Sequence, residues 1–143
     1  MKKQVLKLTN IPEPTFLLVG ISSHENDYRL SWAMNNQLNT KFTRIENYAI
    51  HDQKNGIRKE FSQYEYNNEE LFIKHLLIAN QGETGYLIPE FKNIDFFIVL
   101  LGEAEEDYLN QFLMKLKSVD IIHMAVSIEA GKLKSKSNLS FNI

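Results

Sequence analysis

The sequence predicts an α+β sandwich in which two βα units carry an antiparallel hairpin between them. Three observations predict it. The stretch FLLVGISSHENDYRLSWAMNNQ from Phe16 lies without a gap over FFIVLLGEAEEDYLNQFLMKLK from Phe96, so that Phe16, Val19, Glu25, Asp27, Tyr28 and Met34 recur as Phe96, Val99, Glu105, Asp107, Tyr108 and Met114. Each copy reads as a short apolar run, a polar elbow and a helical segment. The intervening chain is rich in β-branched and aromatic residues and contains Asn55-Gly56, the strongest short hairpin signal. Two βα(β) repeats side by side make a ferredoxin-like sandwich, a sheet with both helices on one face. Such a layout puts the first and third core strands mid-sheet, where the two most apolar runs, 16–21 and 96–101, belong.

In chain order, Phe16 to Ile21 is a continuous apolar run of strand length, suited to burial on both faces. Ser22-Ser23-His24-Glu25 has the form of a capping box, and the second copy keeps Glu105 with Gly102 in the serine's place. Leu109, Phe112, Leu113 and Leu116 form a single helical stripe. In the first helix Leu30, Ala33, Met34 and Leu38 predict a somewhat rotated buried face. Strands are expected over 42–50, 57–66 and 71–79, with turns at Asn55-Gly56 and Asn67-Asn68. A closing strand is expected over 121–128. Pro89 bars a central strand at its own position. One domain over 1–130 is predicted, with repeats over about 15–50 and 95–130, an inserted hairpin over about 57–80, and a mobile basic tail over 131–143.

With 143 residues, 43% apolar and 24% charged, the chain is long enough to bury a core without covalent staples. A net charge of −2 argues against a nucleic-acid partner. The absence of cysteine removes disulfides, thiolate zinc sites and a cysteine nucleophile. MKKQVLKLTN has no signal-peptide core behind it and no run approaches a membrane span, so a cytoplasmic protein without a membrane partner is expected.

Ile88 to Phe96 reads IPEFKNIDF. The string resembles the signature of the uncharacterised bacterial IPExxxVDY family, with Ile94 for the valine and Phe96 for the tyrosine. The resemblance implies a small bacterial protein and no assigned activity. Ile11-Pro12-Glu13 echoes the motif ahead of the first copy. With Phe96 there is no phenol oxygen at this place to serve a mechanism.

No constellation names a reaction. Glu103, Glu105, Glu106 and Asp107 complement a helix dipole and lack the spacing of a calcium loop. Four histidines share no metal-ligand spacing, and Gln81-Gly82-Glu83-Thr84-Gly85 lacks the lysine and helix of a phosphate loop. No metal and no cofactor are therefore expected. His24, Glu25, Glu90 and Asp95 are the candidate polar groups for a small enzyme, the histidine–carboxylate pair as base and orienting acid. Phe61, Tyr64, Tyr66 and Phe72 on the inserted hairpin form the candidate interaction surface. The leading expectation is a non-enzymatic binding or interaction module that pairs with itself through a sheet edge or the hairpin, or joins a larger complex as a protein-binding subunit. Small sandwiches of this kind often pair edge to edge and bind metabolites at the seam, so a small-molecule ligand is expected there.

Overall fold

A computed structural model describes residues 15–52 and 55–141. The N-terminal Ile11-Pro12-Glu13 echo lies outside them. The elements run β1 (Leu17–Ser22), α1 (Asp27–Leu38), β2 (Thr43–His51), β3 (Arg58–Asn68), β4 (Ile73–Ala79), the short β5 (Gln81–Gly82) and β6 (Gly85–Tyr86), β7 (Phe96–Gly102), α2 (Glu106–Lys117) and β8 (Met124–Ile128). Six strands form one sheet in the order β2-β3-β4-β7-β1-β8, every neighbouring pair antiparallel. The α+β class is thus as predicted, and β1 and β7 are both interior strands. The hairpin expected as an insertion over 57–80 is β3 and β4, and it extends the sheet with β4 pairing directly with β7; β3 and then β2, which was expected within the first repeat, continue the sheet outward from β4.

Alternation sorts the side chains into two layers. Val19, Ile21, Phe96, Ile98 and Leu100 face the helices and pack against Leu30, Met34, Leu109, Phe112 and Leu116. Leu18, Phe97, Val99 and Leu101 point the other way, beneath Leu87, Ile88, Ile94, Leu133 and Leu139. Because both faces are covered, β7 carries six consecutive buried residues, which is why its sequence shows no alternation. Each such side chain contributes about 1.5–3 kcal/mol of burial.

The internal repeat has a geometric counterpart. Leu18 pairs with Val99 and Val19 with Ile98, while the repeat equates Leu18 with Ile98 and Val19 with Val99. A pseudo-two-fold axis between these pairs therefore exchanges the two copies. The repeat slips by one residue at the elbow. Helix α1 starts at Asp27, but α2 starts at Glu106, the equivalent of Asn26. The slip sets Leu30 and Ala33 in the places of Leu109 and Phe112 and accounts for the rotated face of α1. It also separates the matched tyrosines and methionines: Tyr28 is 66% exposed while Tyr108 packs on the core, and Met34 is buried while Met114 is 73% exposed.

The predicted capping box does not form. Asn26 caps α1, its Oδ1 accepting from the Arg29 amide at 2.9 Å. Ser23 is instead buried and its hydroxyl donates to the Ile121 carbonyl. At α2 the cap position is Glu105, with no side-chain capping bond, and not Gly102. Gly102 serves a different need: at φ +100 it passes so close to the Phe72 carbonyl that a Cβ would collide with it.

A second correction concerns the chain from Gly131, expected as a mobile tail. Through residue 141 it is a strap under the sheet, with Leu133 and Leu139 buried and Phe141 stacked on Tyr48. Ser135 donates its amide and hydroxyl to the Glu90 carboxylate at 2.9 and 2.8 Å, and the Asn138 amide donates to the Leu87 carbonyl. Its lysines suggested solvation, but the apolar residues between them are what cover the lower face.

Candidate functional site

Three of the four candidate polar residues converge. The elbow after β1 faces the loop before β7 across a cleft of about 470 Å³ lined by His24, Glu25, Asp95, Lys92 and Tyr86. The cleft is built by backbone ties. The Asp95 carboxylate accepts from the Ser23 amide at 2.9 Å, and the Ser22 hydroxyl donates to the Asn93 carbonyl at 2.7 Å. The exposed His24 ring lies against His123, centroids 4.5 Å apart, and Glu25 pairs loosely with Arg29 at 3.8 Å. The Lys92 ammonium sits over the Tyr86 ring. No His24–Glu25 or His24–Asp95 hydrogen bond joins them into a base and its orienting acid. Glu90 stands apart from the cleft and holds the strap. Burial raises the Glu90 pKa, but the Ser135 hydrogen bonds outweigh it and keep the carboxyl below its ordinary value.

The aromatic quartet does not form a surface. Phe61 is buried on the strap face and Tyr64 on the helix face, because they occupy opposite sides of β3. Tyr66 packs on His75 and Phe42. Phe72 alone is exposed, at 71%, on a turn where it takes φ +57. A patch that needs all four residues outside is therefore excluded.

Sequence reasoning missed two buried polar centres. Asn80 is fully buried; its Nδ2 donates to the carbonyls of Phe91 and Ile94, both at 2.9 Å, and its Oδ1 accepts from the Ile88 amide at 2.8 Å. It thereby shapes the whole IPEFKNIDF loop. His75, also fully buried, lies between the Tyr66 carbonyl (3.1 Å from Nδ1) and the Tyr108 hydroxyl (2.7 Å from Nε2). A carbonyl only accepts, so Nδ1 carries the proton and the tyrosine donates to Nε2. Burial pushes the His75 pKa down to about 4. Neither residue had a motif: an asparagine that opens a polar, irregular connection reads as loop, and a histidine in an alternating strand reads as packed or exposed rather than as part of a site. Among the described residues no group of three or more histidines and acids is arranged to hold a metal ion.

The sheet margin is the remaining feature. The outer side of β8 pairs with no described strand. Met124, Val126 and Ile128 lie on its strap face beside a groove of about 470 Å³ that includes Phe91 and Leu133. No protein-family model, curated protein or solved structure matches the chain.

Proposed function

We propose that the chain is a non-enzymatic binding and interaction module that associates through the open β8 edge of its sheet. The contrast between the two edges carries this reading. Strand β2 has Arg44 and Glu46 along its length and a break in register between Ile45 and Tyr48, devices that discourage strand addition. Strand β8 reads Met-Ala-Val-Ser-Ile, with no charge and no proline, and its ladder to β1 is unbroken. The ferredoxin-like description fits strands β8, β1, β7 and β4 with the two helices on one face, β2 and β3 being the addition. Read with IPEFKNIDF, the module is a bacterial cytosolic protein of the IPExxxVDY type. The groove beside β8 is the place for a small, largely apolar ligand at the seam. Native mass spectrometry of gently purified protein tests the reading. An oligomer, or a non-covalent added mass, supports it; a bare monomer at every concentration refutes it.

The convergence of His24, Glu25 and Asp95 favours a second reading, a small enzyme acting in the elbow cleft. It requires a turnover that His24→Ala and Glu25→Gln each abolish while the fold is retained. A turnover insensitive to both substitutions removes it.

A further inference from the structure

We infer that the strand completing the β8 edge is β8 of a second copy, paired antiparallel about a two-fold axis at Val126. The inference rests on the reading of this edge as the interface and adds the partner and the register. Pseudo-symmetry supplies the first argument. Strand β4 lies beside β7 as β8 lies beside β1, both antiparallel, and the axis between β1 and β7 relates the two positions. On β4 the outer side is covered by β3, again antiparallel. The matching place outside β8 holds no counterpart of β3 among the described residues. The same geometry that seats β3 on one half thus calls for an antiparallel strand on the other.

Self-complementarity supplies the second. A two-fold perpendicular to the sheet keeps each face on its own side, so cross-strand partners must share a face and the axis must pass through a residue. With the axis at Val126, Val126 meets Val126 of the second copy, Met124 meets Ile128 and Ala125 meets Ser127. The five residues of β8 are all used. Met124, Val126 and Ile128 from both copies then form one apolar stripe, continuous with the groove wall at Phe91 and Leu133. Just beyond the strand, Glu129 comes opposite His123, an attractive pair. Shifting the axis to Ser127 would set Ala125 opposite Glu129, and shifting it to Ala125 would leave Ile128 opposite Ile122, whose side chain is already buried. The paired sheet would hold twelve strands with both helix layers on the same side.

The absence of cysteine makes the test clean. Val126→Cys places a lone thiol on the axis, with partner Cα atoms about 4.5–5.5 Å apart, inside disulfide range. Ser127→Cys faces Ala125 of the other copy, and its own counterpart lies diagonally at about 7–8 Å, too far to bridge. Mild oxidation should link Val126→Cys into a covalent dimer and leave Ser127→Cys unlinked. In sedimentation velocity, Val126→Arg should convert the dimer to monomer, while its urea midpoint should match that of wild type diluted until it is itself monomeric, since Val126 is 37% exposed. A wild-type dimer that Val126→Arg leaves intact, with no Val126→Cys crosslink, overturns both the inference and the edge reading. A dimer that Val126→Arg dissociates, but in which Ser127→Cys links and Val126→Cys does not, overturns the register alone. A wild-type monomer at several hundred micromolar overturns the second-copy partner; whether the edge binds anything is then decided by added mass in the native spectrum.

Discussion

Replacing Asn80 with alanine removes the hub of the loop that forms one wall of the cleft and supports the strap. Three hydrogen bonds of 2.8–2.9 Å disappear from a side chain with no solvent exposure. The losses are unequal. The Phe91 carbonyl keeps the Ile94 amide, 3.0 Å away, whereas the Ile88 amide loses its Asn80 acceptor in a buried site. A buried group left unpaired costs about 1–3 kcal/mol, and an ordinary lost bond about 1. The sum is roughly 3 kcal/mol, or on the order of 10 °C in Tm for a domain of this size. Urea unfolding of wild type and Asn80→Ala measures it directly, and hydrogen exchange at Ile88 localises it. Asn80→Asp should cost at least as much, because it keeps the acceptor for Ile88 but turns a carboxylate oxygen toward two carbonyls. A loss below about 0.5 kcal/mol, the range of an ordinary surface substitution, would refute the hub.

Other perturbations have equally definite outcomes. His75 titrates near 4 in the fold and near 6.5 unfolded, so the unfolded chain binds more protons between those values. Stability is full above pH 6.5 and falls by about 2 kcal/mol from pH 7 to pH 5; urea midpoints across that range check it, and an imidazole NMR titration near 6.5 would contradict it. Glu90→Ala should free the strap, so that trypsin cuts at Lys132, Lys134 and Lys136 several-fold faster; unchanged digestion would mean that Ser135 is not what tethers it. Because the Glu90 carboxyl is held below its ordinary value, the tether should persist at neutral pH and weaken as the group protonates in acid. Gly102→Ala, at φ +100 and against the Phe72 carbonyl, should cost upwards of 2 kcal/mol, and Gly56→Ala, at φ +71 with open space around it, only about 1. Equal costs in urea unfolding would show that the close approach at Gly102 carries no energy.

The sheet was legible where hydrophobic period and turn chemistry agreed. The runs at 16–21 and 96–101 mark β1 and β7 because burial on both faces leaves no room for polar residues. Asn55-Gly56 marks the β2–β3 turn because Gly56 takes a positive φ. The elbow misled because Ser22-Ser23-His24-Glu25 satisfies the capping pattern, yet the Ser23 hydroxyl finds the Ile121 carbonyl, far along the chain, and leaves the cap to Asn26. Tertiary partners of that kind leave no local trace. The strap failed for a related reason: Leu133, Leu139 and Phe141 fit no helical or strand period, because short 3₁₀ turns space them. Within the candidate site, His24, Glu25 and Asp95 were named by residue type, and their convergence followed from the β1–β7 pairing. Glu90 was misassigned because a carboxylate that ties down a loop looks the same in sequence as one that moves a proton.

The central position of β1 also fixes the order in which this sheet can be assembled. Strands β2, β3 and β4 are a local meander, whose loops are short and cheap to close. Strand β1, in contrast, lies between β7 and β8, both of which are more than half the chain away. The seam around β1 is thus one whose closure entropy must be met before its contacts are gained. Until β1 enters, β7 and β8 each show an uncharged inner edge to solvent, and those edges attract other chains as readily as their own. Refolding of this protein should therefore lose yield steeply with concentration, and the competitor of β1 is the same strand-pairing chemistry that β8 retains on its outer side in the finished molecule.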